Sequence, residues 1–256
     1  MPQPYVVRFV SLESGAGKTR VAAYIVKELK ALGYAISVIK HCASGITLED
    51  KDSSKYLEHG ADYVVLSSPR LAVVYVTGHS NTLESALAFT KTPVVVVEGF
   101  RESRVGDAVL VVGGVEDLKE LLTRVENVLA VVSRSETPGQ LRLDIPCFKV
   151  DNAKDLVSLI ESRIKTHFYA QTPRTNCGMC GYSSCSELVE NYLKGKANWC
   201  PLSIGVEIVV DGYAVPLNPF VKNIFNSVIK GFLEALKGVP RDYRELRIYV
   251  REERES

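Results

Sequence analysis

Short apolar runs alternate with segments of helical spacing over the first 165 residues. Tyr5–Ser11 reads as a strand. In Lys18–Gly33 the residues Val21, Ala22, Ile25, Leu29 and Leu32 share one face, and Gly33 stands where a C-terminal cap is expected. Ala35–Ile39, Tyr63–Leu66, Ala72–Val76, Ala108–Val112 and Val128–Val132 predict further strands, and Ser53–Gly60, Leu83–Phe89 and Asp151–Arg163 predict helices. Val94–Val97 is an unbroken β-branched run, the pattern of a strand covered on both faces. Strands alternating with helices predict an α/β fold around a mostly parallel sheet.

After Lys165 the pattern changes. Residues 171–200 are rich in Cys, Gly, Asn and Ser, with Leu188, Val189, Tyr192 and Leu193 spaced as a short amphipathic helix. Glu207–Val210 and Tyr213–Val215 flank Asp211-Gly212, a hairpin signal. Asn218-Pro219 reads as a helix cap followed by a first-turn proline. Phe220, Val221, Ile224, Phe225, Val228, Ile229, Phe232, Leu233 and Leu236 then form a stripe up to Gly238. Lys222, Lys230, Glu234 and Lys237 lie off that stripe, which predicts a core face rather than a membrane face. Leu246, Ile248 and Val250 alternate as a last strand. The expected division is an α/β domain over residues 1–165 and a smaller α+β domain over 166–256.

Charge narrows the classes of function. The 256 residues carry 31 Lys and Arg against 30 Asp and Glu, a net charge of +1, so there is no basic footprint for a nucleic acid. An apolar fraction of 46% supports a sizeable core. The apolar runs fall short of the roughly 20 residues that span a bilayer, and no basic-then-apolar leader precedes the first strand. A cytoplasmic protein with reduced thiols and no membrane partner is expected. Six cysteines are present, and four of them, Cys177, Cys180, Cys185 and Cys200, fall within one short segment. That clustering points to a local thiolate site rather than a disulfide framework. Cys147 reads as a packing residue.

The first strand runs into Ser14-Gly15-Ala16-Gly17-Lys18-Thr19, and a helix follows: the GK[ST] end of a phosphate loop in its strand–loop–helix context. Glycines let the backbone turn several N–H groups toward phosphate oxygens, and the helix N-terminus favours the anion. Lys18 can reach the terminal phosphates, and the Thr19 hydroxyl can bind Mg²⁺. Leu12 replaces the first glycine of the usual pattern. Glu98 follows the valine run, where an acid that serves Mg²⁺ and water is expected. Asp50 and Asp52 follow the second strand, either as acids that approach the metal or as a solvated acidic loop. Ser133-Arg134-Ser135-Glu136 reads either as a softened guanine-recognition motif or as an ordinary polar loop.

The cysteines are spaced Cys177-x2-Cys180-x4-Cys185-x14-Cys200, with Pro201 next. Four thiolates can hold tetrahedral zinc or an iron–sulfur cluster. Only one CxxC pair is present, Gly178 and Gly181 leave room for amides to approach sulfides, and a Cys-Pro ends the set, so a [4Fe-4S] cluster is the expected group. With all four ligands from protein, a structural or electron-transfer role fits better than a Lewis-acidic one.

The first 165 residues resemble the molybdopterin-guanine dinucleotide biosynthesis protein B (MobB) family. The likeness rests on the GAGKT loop, Lys40-His41 at the end of the second strand, Asp50-x-Asp52-Ser53 leading to His59-Gly60-Ala61, and Val97-Glu98-Gly99-Phe100. It implies a GTP-binding, slowly hydrolysing accessory protein beside a molybdopterin nucleotidyltransferase, acting as a homodimer. Lys18, Thr19, Asp52 and Glu98 would serve nucleotide and Mg²⁺, while Lys40 and His41 would line the neighbouring face. Thr175-Asn176-Cys177-Gly178-x-Cys180-Gly181-Tyr182 with Cys185 is similar to the [4Fe-4S] domain of corrinoid iron–sulfur proteins. A second function therefore stays open: a nucleotide-gated iron–sulfur electron-transfer or metallocluster-handling ATPase or GTPase.

Overall fold

Every residue of Tyr5–Val10 (β1) is buried, and β1 holds the centre of a six-stranded sheet. This computed structural model describes residues 2–13, 15–43, 45–46, 51–133, 144–150, 153–202, 206, 208–210, 213–215, 219–239, 246 and 248. The sheet order is β2 (Ile36–Lys40), β5 (Val94–Glu98), β1, β6 (Asp107–Val112), β7 (Val128–Ser133), β8 (Cys147–Lys149), and all pairings are parallel. The all-valine run is indeed buried on both faces. A separate antiparallel pair, β3 (Tyr63–Ser67) and β4 (Ala72–Val76), exposes Tyr63, Val65 and Val74.

Side chains alternate across β1 and define two layers. Tyr5, Val7 and Phe9 face a core built from α1 (Lys18–Ala31), α5 (Lys154–Ala170) and α6 (Cys185–Leu193), through Ile25, Leu29, Ile160, Phe168, Val189 and Leu193. The opposite layer holds Val6 with Leu83 of α3 (Leu83–Leu87), and Val10 with Leu118 and Leu121 of α4 (Val115–Arg124). Between these two patches stands Arg8, with no exposed surface.

The β5-to-β6 connection explains that buried cation. Both strands flank β1 and run parallel to it, so residues 99–106 must return across the sheet without a helix, although such crossovers usually need a dozen or more residues. Arg8 Nε donates to Val105 O at 2.8 Å, and Nη1 donates to Phe100 O at 3.2 Å and Arg101 O at 3.4 Å. Nη2 reaches Glu126 O at 3.3 Å. Burial pushes the guanidinium pKa down, opposed by the nearby Asp107 carboxylate. Within the crossing segment Arg8 thus supplies donors to the carbonyls of Arg101 and Val105 and shares that of Phe100 with the Ser103 N–H, which lies at 3.1 Å. Gly106, at φ +72°, lies against the Val6 carbonyl so closely that a Cβ would overlap it.

The described residues divide into two units, 1–199 and 200–256. The sequence texture changes near residue 165, but α5 runs unbroken through that point and α6 shares the core of α1. In the second unit, β9 (Ile208–Val210) and β10 (Tyr213–Val215) form the expected hairpin, and α7 (Pro219–Ala235) the expected helix. Its stripe departs from the expected core face. Ile224, Phe225, Val228, Phe232 and Leu236 are exposed, because no element among the described residues covers them. The Asp211-Gly212 turn, Asn218 and Val250 lie outside the described residues, and Leu246 and Ile248 are exposed and outside any strand. Cys147, expected to pack, is exposed on β8 at the sheet edge. Helix α4 and strand β8 add to the elements read from sequence. Among the described residues no helix is long and apolar enough to cross a membrane.

Arg8→Met removes the side-chain donor of the Val105, Arg101 and Glu126 carbonyls, while Phe100 O keeps the Ser103 N–H, and is expected to lower the unfolding free energy by about 3 kcal/mol. Gly106→Ala is expected to cost about 2 kcal/mol through strain. Urea unfolding reads both, and an unchanged midpoint for Arg8→Met would mean that the crossing segment is held by other contacts.

Candidate functional site

The loop between β1 and α1 turns through Gly15 at φ +83° and Gly17 at φ +101°, conformations that glycine adopts without strain. Gly17 is the N-cap of α1 and offers no side-chain oxygen, so the first helical N–H groups remain free of a side-chain cap and face the loop. The Lys18 ammonium folds back on the loop, 2.5 Å from Ser11 Oγ and 3.0 Å from Glu13 O. Burial lowers the Lys18 pKa, and the Glu98 carboxylate opposes the shift.

Register then brings distant residues together. Phe9 and Lys40 both lie level with Glu98 across the sheet. Thr19 Oγ1 donates to Glu98 Oε1 at 2.8 Å, across 79 positions of sequence. Lys40 Nζ is 3.8 Å from the same oxygen, with Glu98 15% and Lys40 59% exposed. Thr19 and Glu98 thus offer hard oxygens at the mouth of a phosphate loop, a donor set that suits Mg²⁺.

His41 is fixed beside them. Its N–H donates to Glu98 O at 2.9 Å, and its ring stacks on Phe100 with centroids 4.4 Å apart and planes at 28°. Its Nε2 lies 3.2 Å from Asn81 Nδ2. Gly99, at φ +99°, permits this approach, since a Cβ there would lie 2.7 Å from His41 Cβ. Asp52 is not drawn into the group: it pairs with Lys55 at 3.0 Å within α2 (Lys51–Glu58) and is 81% exposed. Ala16 is half-buried in the loop, whereas Ser14, Asp50 and the 134–136 part of the softened motif lie outside the described residues. Sequence reasoning missed Ser11 and Asn81. The available hint for Asn81 was its place beside Thr82, which already caps α3 by accepting from the Ser85 N–H at 3.2 Å.

The thiol segment opens with Arg174 and Asn176 in the left-handed region, at φ +58° and +48°. Asn176 Oδ1 accepts the first N–H of α6, that of Cys185, at 2.8 Å, and Ser184 Oγ accepts from Glu187 N–H at 3.1 Å. The Met179 N–H, followed by the Thr175 hydroxyl, lowers the pKa of the exposed Cys177 thiol and favours its thiolate form. Cys180 is half-buried, and Cys185 and Cys200 are buried. The chemistry of these four donors fits an iron–sulfur cluster. Among the described residues no three His, Cys, Asp or Glu side chains are gathered closely enough to hold one metal ion. Helix α6 ends against the turn between α1 and β2, at the edge of the sheet away from the phosphate loop, where Leu193 O accepts Ala35 N–H at 3.0 Å.

Residues 6–134 match the family model described as "Molybdopterin guanine dinucleotide synthesis protein B", and residues 173–201 match one described as "Putative Fe-S cluster". A "Putative molybdopterin-guanine dinucleotide biosynthesis adapter protein" of Methanocaldococcus jannaschii is 29% identical over 234 residues, covering 88% of each chain. Two structures of Bacillus subtilis MobB share the fold at 21% identity. One has a TM-score of 0.53 over 63% of this chain and 98% of its own, the other 0.51 over 62% and 96%.

Gly99→Ala is expected to push the His41 ring off Phe100. The upfield ring-current shift of the His41 ring protons should then collapse toward exposed values in NMR spectra, with the helical circular dichroism retained. Unchanged shifts would mean that the stack does not depend on the glycine.

Proposed function

The chain belongs to the MobB family, and from that premise we propose that it is a GTP-binding, slowly hydrolysing adapter in molybdenum or tungsten cofactor biosynthesis, acting beside a molybdopterin nucleotidyltransferase and carrying a [4Fe-4S] cluster. The observation that carries the nucleotide part is the 2.8 Å bond between Thr19 and Glu98, which unites the phosphate loop with the acid of the buried valine strand. In this reading the amides of Gly15, Ala16 and Gly17, with Ser14, cradle phosphate oxygens, and Lys18 exchanges Ser11 and Glu13 for the terminal phosphates. Bound Mg²⁺ would neutralise developing charge on those phosphates. Thr19 and Glu98 hold its side of the site, Glu98 also orients water, and Asp52 joins them by giving up Lys55. Lys40 and His41 line the adjoining face. Residues 1–165 form the nucleotide module and 166–256 the thiol module, with Cys177, Cys180, Cys185 and Cys200 as cluster ligands. Two copies associate.

One observation favours the second reading, in which nucleotide gates the cluster. Helix α6 starts at Cys185 and packs in the same core as α1, which starts at the phosphate loop, so a shift of α1 reaches the thiol segment through Val189 and Leu193.

Anaerobically purified protein is expected to contain about four iron and four sulfide per chain. It should bind GTP with Mg²⁺, lose at least about tenfold in affinity on Lys18→Ala, and lose hydrolysis on Glu98→Gln. Zinc in place of iron removes the redox role. Unchanged affinity in Lys18→Ala removes the nucleotide role. Electron paramagnetic resonance spectra with and without GTP and ATP separate the two readings, because only gating changes the cluster signal. Light scattering gives the copy number against the 28.2 kDa chain.

A further inference from the structure

We infer that the stacked pair His41–Phe100, with Asn81 holding His41, is the subsite for the pterin ring of the second substrate. This rests on the molybdopterin-adapter reading and adds to it the place and the residues of contact.

Phe100 packs against the Val6, Leu83, Val95 and Val97 cluster, and the pair carries restraints beyond that packing. Phe100 is a bulky residue at φ +51°, a conformation that L side chains seldom adopt. Its carbonyl is held by Arg8 at 3.2 Å, which keeps the strained turn in place. His41 is fixed by its own N–H, by the ring stack, by the close approach of Gly99 and by Asn81. Yet both rings are only half-buried and Asn81 is exposed, so these restraints serve a surface. Strain kept at an accessible site by several supporting contacts is a mark of preorganisation for a ligand.

Position and chemistry select the ligand. The pair lies at the carboxyl ends of β2 and β5, the edge at which open α/β sheets bind ligands. With Phe100 packed against the core, the outer face of His41 is the side on which the stack can take a further aromatic plane, and the Asn81 amide and the imidazole edge offer hydrogen bonds to ring nitrogens and carbonyls. Lys40, the residue before His41, is 59% exposed and pairs with Glu98 at 3.8 Å. The ring is not that of the bound nucleotide. Thr19 and Glu98 mark the end of the loop that handles the terminal phosphates, and the base lies at the other end of a nucleotide. A planar heterocycle on the His41 side belongs to the second substrate.

The test titrates fluorescent pterin-6-carboxylate into the full chain, with Mg²⁺ and a non-hydrolysable GTP analogue present. Saturable binding is expected. Phe100→Leu should weaken it about tenfold, in keeping with the strength of ring stacking. Asn81→Ala should weaken it about threefold through a less ordered His41. Phe100→Tyr should retain it, and the affinity for the GTP analogue should stay within about twofold in all three variants. Thermal melts monitor folding of Phe100→Leu, and Asn81→Ala removes only an exposed side chain. The inference is overturned if the analogue binds but the pterin does not, or if the variants bind the pterin as the wild type does. It is also overturned if Phe100→Leu weakens analogue and pterin alike, which would give the stack to guanine. Failure of the wild type to bind the analogue removes the adapter reading itself, and the inference with it.

Discussion

The site depends on a single buried cation. Arg8 holds the crossing segment 99–106 under β1, and this lets β5 and β6 flank β1 as parallel neighbours without a helix between them. Desolvating a guanidinium is expensive, but its donors are occupied by main-chain carbonyls. The same bonds fix the backbone just after Glu98. They thereby set where Gly99 turns, how Phe100 projects and where His41 can rest. A core residue and the functional edge are thus two ends of one constraint.

Around Glu98 a modest set of charges is shared closely. Its carboxylate accepts from Thr19 and faces Lys40, while its main-chain carbonyl takes the His41 N–H. Few formal charges are needed, because a phosphate loop binds anions largely through oriented amides and a helix N-terminus. A net charge of +1 is therefore compatible with a phosphate loop.

Much of this was legible in the sequence. The strand–loop–helix around Lys18, the buried valine run ending in Glu98, the α/β alternation and the C-terminal hairpin all arise from local patterns, which periodicity records. What escaped was non-local. An arginine in an apolar strand gives no sign of the carbonyls that await it about a hundred residues later, and nothing local announces a helix-free crossover. Helix α4 follows Gly114, which offers no side-chain cap, so its start signal rests on Glu116 and Asp117 in the first turn, and β8 is only three residues long. Asn81 meets His41 only through the fold. The α7 stripe has helical period, but period alone does not say whether anything covers the helix.

The shared core of α1, α5 and α6 has a consequence for how this architecture arose. Val189, Leu193 and Phe168 close the same face of the sheet as Ile25 and Leu29, and the turn between α1 and β2 gives an N–H to the last residue of α6. The matched Bacillus chains align over less than two thirds of this one. The cysteine-bearing segment is therefore not a cargo hung on a finished domain by a tether. It is a lining that the domain wears on the inside, and once such a graft is absorbed into the packing, neither part can be shed without unclothing the other.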